Sequence, residues 1–141
     1  METRGFLAPE TRADTVDAFE SMEPAAQTVT KEVAKAMAFD REEYRDRVTE
    51  EVVTTARDAL FASLLEVHLG SKAEFEQWTA GHGDLAVNLE GNEHVDRRAW
   101  HPIPAAEAVA AVTFHEQPDA AVATVQRQAF GRFYRELLDQ D

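Results

Sequence analysis

A chain of 141 residues has room for one ordinary domain with its own hydrophobic core, and 44% hydrophobic residues with only 6 Gly and 5 Pro exclude a disordered or low-complexity chain. There is no cysteine, which excludes disulfides, thiolate metal sites and a cysteine nucleophile. Acids outnumber bases 27 to 14, and the net charge of −13 argues against bare nucleic acid or an anionic membrane as the main partner.

A short helix is expected over residues 10–22, where Ala13, Val16 and Phe19 form a narrow apolar stripe. Pro24 suits the start of a second helix, over residues 24–37, in which Val29, Val33, Ala36 and Met37 recur at helical spacing. Asp40, with Glu43 three residues on, caps a third. Its apolar row, Tyr44, Val48, Val52 and Ala56, widens over residues 59–65 until the helix is apolar nearly all round. Gly70 is a natural stop, so residues 40–69 are the expected central helix, with His68 on its buried row as a structural histidine. Ser71 and Glu74 make a capping-box pair for another short helix that turns Phe75 and Trp78 inward. Residues 85–89 alternate as a strand, and Gly91-Asn92 offers a turn toward residues 95–100 as its hairpin partner. Residues 108–114 mix alanines with Val109, Val112, Thr113 and Phe114; the reading is strand, and a helix there would make the fold nearly all-α. Pro118 opens the clearest helix, striped by Val122, Val125, Ala129, Phe130, Phe133, Tyr134 and Leu137. The expectation is a single α+β domain over residues 1–141, predominantly helical. Four to five helices surround the 40–69 helix, and a small antiparallel sheet occupies residues 85–114.

No apolar run is long enough to span a membrane, and the first residues lead into no secretory h-region, so a cytoplasmic protein is expected. Eleven Arg against three Lys, with one Ile and 24 Ala, are compatible with a GC-rich genome. That bias leaves the acid excess unexplained. Self-repulsion of this size suits a salt-rich cytoplasm, where ions screen it.

The familiar chemical signatures (GxGxxG, GxxxxGK[ST], HExxH, an EF-hand loop, GxSxG, paired ExxH on bundle helices) are all missing, and the reading leans against an enzyme. His82, His94, His101 and His115 fall within 34 residues among several carboxylates. Imidazole and carboxylate suit a transition metal, although the spacing matches no established ligand pattern. Glu42-Glu43 and Glu50-Glu51 read as solvated helix surface, and Trp78 and Trp100 as core. Residues 97–135 carry five Arg against three acids, a local net charge of +2 in an otherwise acidic chain. On the last helix Arg127, Arg132 and Arg135 surround Gly131, opposite the apolar stripe, which makes this face a candidate contact for a second copy.

The stretches EVAKAMAFDREEYRDRV (32–48), ARDALFASLLEVHLG (56–70), VDRRAWHP (95–102) and RQAFGRFYR (127–135) resemble a family of short, uncharacterised proteins from halophilic archaea, over nearly the whole chain. The resemblance implies a haloarchaeal cytoplasmic protein and brings no activity, cofactor or catalytic residue. The expected function is a non-catalytic interaction module that self-associates, as a homodimer. The alternative is a metal- or small-ligand-binding protein, or an enzyme, that uses the histidine-bearing segment 82–115.

Overall fold

A computed structural model describes residues 1–139. The chain forms two compact units, one of residues 1–15 with 62–141 and one of residues 16–61.

The first unit is built on a five-stranded mixed sheet in the order β1-β2-β4-β5-β3, with β1 Glu2–Arg4, β2 Val67–Gly70, β3 Ala86–Glu90, β4 Arg97–Ile103 and β5 Ala108–Phe114. Strands β1, β2, β4 and β5 pair antiparallel in turn, and β3 pairs parallel with β5, Ala86 opposite Ala108. One face of the sheet, Val67, Leu69, Ala99 and Val112, packs on Ala121, Val122 and Val125 of the long helix α6 Pro118–Ala129. The other face, Trp100, Val109 and Ala111, packs on Phe75 of α5 Lys72–Ala80, with Trp78, Leu85 and Leu89 around it. Period-2 alternation in the strands explains the two faces, since successive side chains point to opposite sides.

The second unit is helical. It takes in most of α1 Arg12–Glu20, then α2 Glu23–Ala36, α3 Arg41–Arg47 and most of α4 Glu50–Leu64. Glu23 at the start of α2 is held by Arg57 of α4 at 2.9 Å, and the same guanidinium lies 4.3 Å over the Phe19 ring.

The fold is α+β, as expected, and three expectations are corrected. The 40–69 helix is not one element. It breaks at Val48, whose ψ of 85° leaves the helical region, and restarts behind Thr49, whose Oγ1 accepts from the Val52 N–H at 3.3 Å. Its last residues form β2, where Val67 and Leu69 are buried and His68 points to the opposite face. The sheet is larger than residues 85–114 and is not purely antiparallel. Gly91 and Asn92 do turn the chain, but they send it across the end of β5 rather than back along β3. Gly91 has φ of +113° and packs against Thr113, whose Oγ1 accepts from the Asn92 N–H at 3.2 Å. Strand β4 therefore lies on the far side of β5.

The Ser71 capping box is present as expected. Ser71 Oγ accepts from the Glu74 N–H at 3.1 Å, and Glu74 returns the bond to the Ser71 N–H at 3.0 Å. Ser71→Ala should cost about 1 kcal/mol in urea unfolding, the usual worth of an N-cap; an unchanged midpoint would remove the cap from the account of this turn.

Candidate functional site

The structure distributes the four histidines of the 82–115 segment over three places. His101 is fully buried on β4. Its Nδ1–H donates to the Glu66 carbonyl at 2.6 Å, so in the neutral ring Nε2 accepts from the Tyr134 hydroxyl, also at 2.6 Å. Tyr134 reaches this position from a π-helical turn, Phe130–Tyr134, inserted between α6 and the terminal helix α7 Arg135–Asp139. Burial lowers the His101 pKa to about 4 and raises that of the Tyr134 hydroxyl, because desolvation disfavours the charged form of each.

His82 sits just past α5, stacked on Trp78 with centroids 3.9 Å apart, its Nδ1 2.7 Å from the Trp78 carbonyl oxygen. His68, on β2 rather than on a helix, joins the same aromatic group, 5.6 Å from Trp100 and 6.1 Å from Trp78. Burial lowers its pKa, against the opposing pull of Glu66. Trp100 is fully buried as expected, and among the described residues its indole N–H has no hydrogen-bond partner. His94 and His115 are both exposed and line one shallow hollow with Asp96 and Glu116. Among the described residues, no group of three or more His, Asp or Glu side chains is placed to hold a metal ion.

On the arginine face, Arg127 and Gly131 are exposed, and a Cβ at Gly131 would meet nothing within 4 Å. Arg132 pairs with Glu90 of β3, and Arg135 lies 5.1 Å over the Phe130 ring. Two of the three guanidiniums thus have partners inside the chain. Gly131 falls within the π turn, so the helical wheel that places it midway between Arg127 and Arg135 does not hold there.

The feature that sequence reasoning missed lies in the 16–61 unit. Helix α2 buries Ala26, Thr30 and Ala34, one row round from Val29, Val33 and Met37. Those three remain 42%, 53% and 58% exposed. They line one wall of an open groove of about 590 Å³ between α2 and α4, whose far wall includes Val52, itself 43% exposed. The signal was in the sequence, since Ala26, Thr30 and Ala34 also recur every four residues. Bulk drew the reading to the wrong row.

Among the described residues no helix is long and apolar enough to cross a membrane. The comparison with curated proteins finds no match. The comparison with solved structures finds none either. Residues 6–135 match the model of a family of unknown function (DUF5809), and the chain belongs to that family.

Proposed function

We propose that this protein is a non-catalytic interaction module that self-associates in a salt-rich cytoplasm. The observation that carries the reading is the concentration of exposed apolar side chains in one short stretch. Of the eight large hydrophobic residues exposed among those described, Val29, Val33, Met37 and Val52 line one open groove. Scattered apolar residues are normal on a surface, whereas a contiguous patch marks a contact surface. The surrounding acid excess sharpens the contrast, because 16–61 holds 11 acids and 6 bases while Arg47 and Glu51 are the charged residues that line the groove.

Sedimentation equilibrium of the untagged protein in 2 M KCl, from low to high micromolar, tests the reading. A concentration-dependent mass rising toward two copies is the expected result. A constant monomer mass up to high micromolar would refute self-association. Gly131→Leu distinguishes the two candidate faces: it leaves the assembly intact where the apolar row makes the contact and dissociates it where Arg127, Arg132 and Arg135 do.

A further inference from the structure

The groove between α2 and α4 is apolar along its floor and almost uncharged at its rim. Arg47 and Glu51 are the charged side chains that line it. Among the described residues neither has an ion-pair partner; Arg47 lies 5.7 Å over the Phe39 ring, and the Glu51 side chain is exposed. This balance bears directly on what can occupy the groove. Two copies of a chain with a net charge of −13 repel one another. A contact between them is least opposed where the surface carries no acid excess, and the side chains that line this groove sum to zero charge. A strongly basic or acidic peptide would find no complementary charge in it.

The same two residues fit a two-fold contact. In such an interface each contact occurs twice with the roles exchanged, so a face that presents one cation and one anion is complementary to itself. The α2 row is also the right shape to serve as both donor and receiver. Val29, Val33 and Met37 stand at i, i+4 and i+8, the spacing with which an amphipathic helix fills an apolar groove. Two helix pairs that each leave such a row uncovered bury both rows by packing face to face, which is the construction of a four-helix bundle.

Resting on the self-association reading, we propose that the α2–α4 groove receives the Val29–Val33–Met37 row of a second copy, with Arg47 of each copy pairing with Glu51 of the other across a two-fold axis. The contact surface is then the helical 16–61 unit, and the arginines of the last helix stay outside it.

The test uses the full chain at 0.5 M KCl, where a rim ion pair is still measurable. Association is read by sedimentation and folding by circular dichroism melts at a concentration below dimerisation. Val33→Asp places a carboxylate in the apolar floor at a half-exposed site. It should weaken the dimer about 100-fold or more while the dilute protein keeps its melting temperature. Arg47→Glu brings four carboxylates together across the axis and should weaken association about tenfold or more. Arg47→Glu combined with Glu51→Arg should restore it to within about threefold of the parent. A dimeric parent whose Val33→Asp variant binds as tightly overturns the groove while self-association stands. Loss with Val33→Asp, but no rescue by the charge exchange, overturns the two-fold Arg47–Glu51 pairing. A parent that is monomeric throughout, alone or with a different protein seated on the groove, overturns both this assignment and self-association.

Discussion

Lowering the pH from 7 to 4 is expected to remove about 3 kcal/mol of stability through His101 alone. In the unfolded chain this imidazole titrates near its ordinary value of 6.5, whereas burial holds it near 4 in the fold. Between those values the unfolded state binds a proton that the folded state refuses, so stability rises with pH across that window. The contribution is complete above about 6.5 and is lost as the pH falls toward 4. Protonation is refused for a visible reason. Nε2 is already accepting from Tyr134, Nδ1–H is bound to the Glu66 carbonyl, and neither partner is an anion. A buried charge would therefore be uncompensated. His68 acts in the same direction, since its pKa is also lowered. The acid excess acts the other way, because protonating carboxylates relieves repulsion. The comparison with His101→Gln separates these effects. The variant is less stable at pH 7, and its deficit in urea unfolding should shrink by about 3 kcal/mol by pH 4. A deficit that stays constant over this range would show that His101 is protonated in the folded protein at mildly acid pH.

The parts of this fold that were legible in the sequence are those fixed within a few residues. The Ser71–Glu74 box and the Asp40 cap each need only a donor and an acceptor three positions apart; the box forms as read, and Asp40 accepts from the Glu43 N–H at the start of a helix that proves short. Strand β5 was legible because Val109, Val112, Thr113 and Phe114 outweigh the alanines among them once a neighbour lies on each side. What failed was whatever a distant partner decides. Residues 64–69 fit a helical row and a strand alternation equally well, and pairing with β1 and β4 settles the matter for residues 67–70. The histidines read as a cluster because they are close in the chain, yet His101 finds its partner 33 residues away on a π turn that no helical wheel predicts. The apolar groove was hidden by the rule that large apolar residues mark the buried face. That rule points inward for α6 and fails for α2, which buries small residues and shows its valines.

Raising KCl from 0.1 M to 2 M should lift the melting temperature by about 10 °C. Self-repulsion worth several kcal/mol is removed by screening, and each kcal/mol is worth about 2–4 °C in a chain of this size. The shape of the rise identifies its cause. The screening length falls from about 10 Å at 0.1 M to about 3 Å at 1 M. Most of the gain should therefore arrive below about 1 M, and only the weaker salting-out of apolar surface continues beyond it. Charge is also adjustable from the protein side. Glu20, Glu76 and Asp84 are exposed and, among the described residues, belong to no ion pair, so Glu20→Gln, Glu76→Gln and Asp84→Asn together bring the net charge from −13 to −10 with little change in packing. That triple variant should melt higher than the parent in 0.1 M KCl and converge with it in 2 M. A parent whose melting temperature is flat in KCl, or a triple variant with the same salt response, would mean that repulsion among its carboxylates contributes little to stability. The acid excess would then carry no adaptation to salt.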